Sequence, residues 1–370
     1  MRAKTNFFIC VLGMLGVMAV SGGVVSYIDP YMQYHMPLTD KYNYVLNTAN
    51  ERNMNYGIAR QFDYNAIVTG TSMTENFKTS EINTIFDVQS IKLPYSGGSY
   101  KEINESLAFA FAHQDRIDIV IRALDLGYFL QDKDRMRHDL GEYPTYLYND
   151  NPFDDVKYLL NKNVLFRHCY IMMKNRRHGA EPGITSFDRY AYWQPNYQFG
   201  SQTVLKNMEP FVEPSEMLRM TDEEREMVRQ NINQNVITLC EAHPDTIFYY
   251  FFSPYSAVYW GDLWNKGTLL KQIDAEQYVI ELILECDNIR LFSFNAFSDI
   301  TCDLNNYKDA SHYGEWINSL VLQYMHDGVG LLTKDNYLSY IAAERELYTT
   351  FDYNSLFDQE DKEDQPPKLK

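Results

Sequence analysis

Residues 64–72 read Tyr64-Asn65-Ala66-Ile67-Val68-Thr69-Gly70-Thr71-Ser72. A short apolar run closed by glycine suits a buried strand, and the residues after it, Met73 to Ile85, have helical character. The same alternation then repeats. Asp87 to Leu93 reads as a second strand, Pro94, Gly97 and Gly98 as turn signals, and Tyr100 to His113 as a helix. Ile117 to Leu124, with Ile117, Ile119, Val120, Ile121 and Leu124, has the strongest strand pattern of all. Strands separated by helices demand crossover connections, hence a parallel sheet, and right-handed crossovers place helices on both faces. The expected class is α/β in three layers.

Further along, Thr246 to Phe252 reads as an aromatic strand and Ile289 to Phe294 as the last one. Thr221-Asp222-Glu223-Glu224 carries the pattern of a capping box opening a helix to about Cys240. Other helices are expected over Thr268 to Cys286, His312 to Met325 and Lys334 to Tyr348. Between them, residues 131–220 break the rhythm with Pro144, Pro152, Pro182, Pro195, Pro210 and Pro214. That region reads as a Tyr/Pro-rich insertion on the sheet, with one helix over Asp154 to Val164. The expected organisation is an N-terminal segment 1–28, a stalk 29–61, a main domain 62–350 and a polar tail 351–370.

The N-terminal segment sets the compartment. Arg2 and Lys4 precede an apolar run from Phe7 to Val20 that resumes from Val24 to Ile28, roughly the 20 residues that cross a bilayer core. Basic residues ahead of the run stay cytoplasmic, so the rest of the chain is exported. Ala19-Val20-Ser21 offers a peptidase site, which leaves a cleaved signal peptide as the competing reading. Resumption of apolar character beyond that site favours an uncleaved single-pass anchor in the cell membrane, with the C-terminal domain extracytoplasmic.

Composition excludes some partners. The 370 residues hold 33 Lys plus Arg against 50 Asp plus Glu, a formal charge of −17, which offers no basic surface for nucleic acid. At 45% hydrophobic and 22% charged residues the chain is a folded one. Of five cysteines, Cys10 lies in the apolar segment; Cys169, Cys240, Cys286 and Cys302 show neither a CxxC nor a His at metal spacing, so no metal is expected, and zero, one or two disulfides remain open. The 30 tyrosines are mostly core material, yet a ring with a polar tip also suits carbohydrate. Trp193, Tyr255, Tyr259, Trp260 and Trp264 are the candidates for sugar stacking, with packing as their plainer use. Arg176-Arg177-His178 reads as a solvated turn before it reads as a contact for an anionic polymer.

Three points stand at the carboxyl ends of expected strands, where open parallel sheets bind ligands. Ser72 is presented on a tight turn beside backbone amides able to hold an oxyanion. Pro94-Tyr95-Ser96-Gly97-Gly98 lets the backbone come close to a ligand. Asp309-Ala310-Ser311-His312 places a carboxylate three residues before an imidazole, able to fix its tautomer. Singly, these are a helix cap, a loop and a surface turn. Together they supply nucleophile, oxyanion donors and base on one edge of the sheet. The other histidines, His35, His113, His138, His168, His178, His243 and His326, have no spaced metal partners.

These blocks resemble the SGNH or GDSL-like hydrolases, and more narrowly the membrane-anchored branch that includes the D-alanyl-lipoteichoic acid biosynthesis and alginate O-acetyltransferase types. The resemblance spans about Tyr64 to Met325, with its motifs at the two ends. It implies a flavodoxin-like, SGNH-type sheet, Ser72 as nucleophile, the Ser72 amide with Gly97 or Gly98 as oxyanion donors, and His312 with Asp309 as base and orienter. It also implies no cofactor, an envelope or exported glycan as substrate, and a multi-pass membrane O-acyltransferase as a partner. One departure stands out. After the third strand the superfamily commonly has an asparagine, whereas this chain has Asp125, and a carboxylate cannot donate to an oxyanion unless protonated. The expected function is serine-dependent O-acyl transfer or ester hydrolysis, transfer being favoured by the tether; the alternative is a non-catalytic glycan-binding or assembly component.

Overall fold

The computed structural model describes residues 2–139, 143–149 and 151–359. They form two compact units, one comprising the chain up to Asp63 with His138–Ser186, the other Tyr64–Arg137 with the chain from Phe187 onward.

The second unit is built on five parallel strands, β1 (Ala66–Gly70), β2 (Ser90–Pro94), β3 (Ile119–Leu124), β4 (Ile247–Phe252) and β5 (Ile289–Ser293), in the order 2-1-3-4-5. Their near-continuous apolar runs reflect burial on both faces: Ile67, Val68, Leu93, Val120, Ile121, Phe251 and Leu291 are all within 1% of fully buried. The two buried charged residues on these strands are spent on backbone carbonyls. Lys92 Nζ donates to the carbonyls of Glu75 (2.5 Å) and Phe77 (3.0 Å), and Arg122 donates to those of Asn235 and Tyr100.

Helices flank the sheet. In chain order they are α1 (Thr79–Phe86), α2 (Tyr100–His113), α3 (Asp222–Ile232), α4 (Ala257–Asn265), α5 (Leu269–Ile283), α6 (Glu315–Asp327) and α7 (Tyr337–Thr350). One set pairs α1 with α6; another pairs α5 with α3 and α7. Ser99 with Glu102 and Thr221 with Glu224 form capping boxes at α2 and α3, which satisfy otherwise orphaned amides. The strand order reverses between β1 and β3, and crevices at such a point are where doubly wound sheets take ligands.

Several expected boundaries move. The helix expected from Met73 begins only at Thr79, because the carbonyls of Glu75 and Phe77 turn to Lys92. A π-helical turn over Asn233–Ile237 interrupts the helix expected to reach Cys240. His312 precedes its helix, which starts at Glu315, and lies in a loop closed by Lys308 N donating to His312 O. The chain beyond 350 adds a 3₁₀ helix, Tyr353–Asp358, with Tyr353 and Leu356 buried; the remainder of the expected polar tail, from residue 360, lies outside the described residues.

The first unit contains the stretch expected to be a stalk. It holds a helix over Glu51–Gln61 and a two-residue parallel pair, Asn43–Tyr44 with Gly183–Ile184. Asp29 is fully buried and accepts from the amides of Gln33, Tyr34 and His35 and from the hydroxyl of Tyr158. A Cβ on Gly57 would stand 2.0 Å from the Tyr31 carbonyl, so only glycine allows that approach. Tyrosines and a buried carboxylate, rather than periodic aliphatics, hold this body together, which is why its sequence looks irregular. Residues 138–186 of the expected insertion thus fold with the N-terminal part, and 187–220 with the sheet. The N-terminal helix, Arg2–Ile28, contains one stretch, Lys4–Ile28, long and apolar enough to cross a membrane. All five cysteines are free thiols.

Candidate functional site

The turn after β1 is tight for identifiable reasons. Gly70 has φ +152°, and a Cβ there would meet Thr74 Cγ2 at 2.6 Å and Ala123 Cβ at 3.1 Å. Thr71 accepts from the Met73 amide, and Ser72 opens a 3₁₀ turn, Ser72–Thr74. Its Oγ lies 2.7 Å from His312 Nε2. On the other side of the ring, Nδ1 is 2.9 Å from both carboxylate oxygens of Asp309. The structure thus brings Ser72, His312 and Asp309 into one hydrogen-bonded chain.

The electrostatics fix the direction of that chain. Burial pushes the Asp309 carboxyl up, but the hydrogen bond and charge of His312, and then the Lys308 ammonium at 2.8 Å, hold it well below the usual carboxylate range. An ionised Asp309 can only accept, so Nδ1 carries the proton and Nε2 is left to accept from the Ser72 hydroxyl. Asp309 also accepts from the amides of Ser311 (3.0 Å) and His312 (2.8 Å), so one side chain shapes both the loop and the ring's orientation.

Trp193 is the residue whose role changes most. Its indole N–H donates to the Ser72 carbonyl at 3.1 Å, and its ring meets His312 edge-on with centroids 5.7 Å apart. Lys308 lies over Trp193 and over the exposed Tyr197, at 4.9 and 4.2 Å from their ring centroids. The other proposed stacking residues are placed differently: Trp260 is fully buried and stacks on Tyr348, Tyr255 is buried and donates to Asp125, Tyr259 packs on Tyr255, and Trp264 on Tyr353.

Of the two glycines expected as oxyanion donors, only Gly98 is withdrawn by its own hydrogen bonding. The Gly98 amide donates to the Tyr95 carbonyl at 2.6 Å, closing the turn, so it is committed elsewhere. Gly97, at φ +58°, has the Arg137 guanidinium against it, since a Cβ would fall 2.4 Å from Arg137 Nη1. Asp125 follows β3 beside the Ser72 turn but is almost fully buried. It accepts from the hydroxyls of Thr71 (2.5 Å), Ser253 (2.9 Å) and Tyr255 (3.0 Å), a structural anchor for the residue before Ser72. Burial raises its pKa, opposed by those three hydroxyls and by His312.

Sequence reasoning missed Thr71, Ser253 and Lys308. Thr71 and Ser253 left the same signal, a polar residue directly after a strand, and Lys308 left none. Among the described residues no group of three or more His, Cys, Asp or Glu side chains is gathered to hold a metal. Comparison with protein families, with curated proteins and with solved structures finds no match.

Proposed function

We propose that this chain is an SGNH-type serine O-acyltransferase or esterase that acts outside the cytoplasm on an envelope or exported polysaccharide, held to the cell membrane by helix Lys4–Ile28. The observation that carries this reading is the chain Ser72 Oγ, His312, Asp309, with 2.7 and 2.9 Å links, at the switch point of a parallel sheet.

In the proposed course, Ser72 Oγ attacks the acyl carbonyl carbon while its proton passes to His312 Nε2. The new C–O bond leaves a tetrahedral oxyanion, for which the Ser72 amide, with Gly97 as second donor, supplies hydrogen bonds. His312 returns the proton to the departing alkoxide as its bond to carbon breaks, leaving an ester on Ser72. Water or a sugar hydroxyl then gives its proton to His312, attacks the ester, and releases Ser72. Asp309 stays ionised throughout and stabilises the imidazolium. Tyr197 and Trp193, exposed or half-buried beside this chain, suit the apolar face of a sugar ring.

The test is turnover of an activated acetyl ester by the full chain in detergent, with and without glycan. Burst release that vanishes in Ser72→Ala supports the proposal. Acceleration by a glycan that itself becomes acylated marks a transferase, and a rate indifferent to glycan marks an esterase. A folded protein with no Ser72-dependent turnover, but saturable glycan binding, refutes it in favour of a binding component.

A further inference from the structure

The helical segment of the first unit, running through Val156–Leu159, Val164–Cys169 and Tyr170–Arg177, carries a charge pattern foreign to the rest of the chain. Lys157, Lys162, Arg167, Lys174, Arg176 and Arg177 stand there without a single Asp or Glu between Val156 and Ala180, in a protein of net charge −17. Several of its exposed positions are apolar: Phe166 is 63% and Tyr170 52% exposed, and Val156 and Ile171 are exposed as well. Cations interleaved with outward-facing aromatics characterise a helix lying in the headgroup layer of a bilayer.

Its position on the N-terminal helix points the same way. A Cβ on Gly22 would lie 3.8 Å from Leu159 Cβ and 3.9 Å from Leu160 Cδ2, so the segment meets that helix at Gly22. About 20 residues cross a hydrocarbon core, and counted from Phe7, where the apolar run begins, they end at Ser26, one helical turn beyond Gly22. The segment therefore leaves the helix within about a turn of the level where hydrocarbon gives way to headgroups. A cavity of about 240 Å³, with Pro30 just past the helix end in its wall, is lined by Arg167, His168, Ile171, Met172 and Arg176 together with asparagines such as Asn175. Two guanidinium groups beside apolar side chains match a phosphate joined to a glyceride stem.

We infer that this segment seats an anionic phospholipid of the surrounding leaflet, its phosphate between Arg167 and Arg176, with Phe166 and Tyr170 set among the headgroups. The inference rests on the membrane-spanning reading of helix Lys4–Ile28 and is independent of the chemistry at Ser72.

The experiment uses the full chain in phosphatidylcholine vesicles with and without about one-third phosphatidylglycerol. Phe166→Trp adds an emitter whose quenching by lipids brominated near the headgroup is read against the parent protein. Quenching of the added emission is expected, about twofold stronger when the bromines are on phosphatidylglycerol than on phosphatidylcholine at equal mole fraction. The preference should disappear in an Arg167→Glu, Arg176→Glu double variant whose melting curve is unchanged, both positions being exposed. Equal quenching by the two lipids, or none, overturns the seat, as does emission that responds only to soluble polyphosphate, which would make the patch a polymer contact. Loss of the protein from vesicles in alkaline carbonate would instead remove the anchor, and the inference with it.

Discussion

Replacing Asp309 by Asn separates orientation from catalysis within a single side chain. The Asn oxygen can keep the bonds from the Ser311 and His312 amides, at 3.0 and 2.8 Å, so the loop that carries His312 survives. What is lost is the second carboxylate oxygen, which faces His312 Nδ1 at 2.9 Å and Lys308 Nζ at 2.8 Å. An amide nitrogen in that place donates towards Nδ1 and competes with the retained oxygen, also 2.9 Å from Nδ1, which favours the tautomer with the ring proton on Nε2. There it opposes the Ser72 hydroxyl 2.7 Å away and cannot take its proton. A wrong tautomer in this arrangement costs about 10⁴ in turnover. The lost ion pair with Lys308 is partly exposed and is worth at most about 1 kcal/mol. Hydrolysis of an activated ester should therefore fall by roughly three to four orders of magnitude while the melting temperature moves by only a few degrees. Asp303→Asn, which alters the carboxylate that caps the Asn305 amide rather than the one that holds His312, should leave turnover near the parent value. A fall of less than about tenfold in a folded Asp309→Asn protein refutes the assigned role.

Trp193→Phe keeps a ring against His312 but removes the hydrogen bond to the Ser72 carbonyl; a loss of roughly 1 kcal/mol corresponds to about a fivefold fall in turnover, and an unchanged rate would reduce Trp193 to packing. Asp125→Ala strands three buried hydroxyls and should destabilise the fold by about 3 kcal/mol or more in urea titrations, with Asp125→Asn costing clearly less; equal costs would contradict the anchoring role. The fully buried Glu276 and Glu344 make stability pH-dependent: burial lifts Glu276 to about 7, and burial with the charge of Glu276 lifts Glu344 well above the carboxyl range. Because both folded values are raised, their contribution is complete below the unfolded carboxyl range and is lost as pH rises through the folded values. Stability should thus decline from about pH 5 to beyond 7, and Glu344→Gln should flatten that decline; an identical slope in the variant would sink the assignment.

The alternation that begins at Tyr64 was legible because a doubly wound sheet buries its strands on both faces, and β1 to β5 carry the apolar runs this requires. Lys92 and Arg122 were not, since their cationic groups are solvated by backbone carbonyls distant in sequence. The same reasoning covers the first unit, where Asp29, Tyr31 and Tyr158 form the links that an amphipathic helix would otherwise supply. At the site, Ser72, Asp309 and His312 were readable because strand ends and a three-residue spacing constrain them locally. Asp125 was assigned by block position alone, and position does not reveal that Thr71, Ser253 and Tyr255 occupy its acceptor sites. Trp193 reaches Ser72 across 121 residues of chain, a separation that no local pattern encodes.

The central claim is that Ser72 is a nucleophile activated by His312, and a fluorophosphonate probe tests it without needing the native acyl donor or acceptor. Intact-mass and peptide analysis of the full chain should show one adduct, on Ser72, formed far more slowly in His312→Ala and absent in Ser72→Ala. A well-folded protein that stays unlabelled, or that is labelled equally fast without His312, would contradict the account.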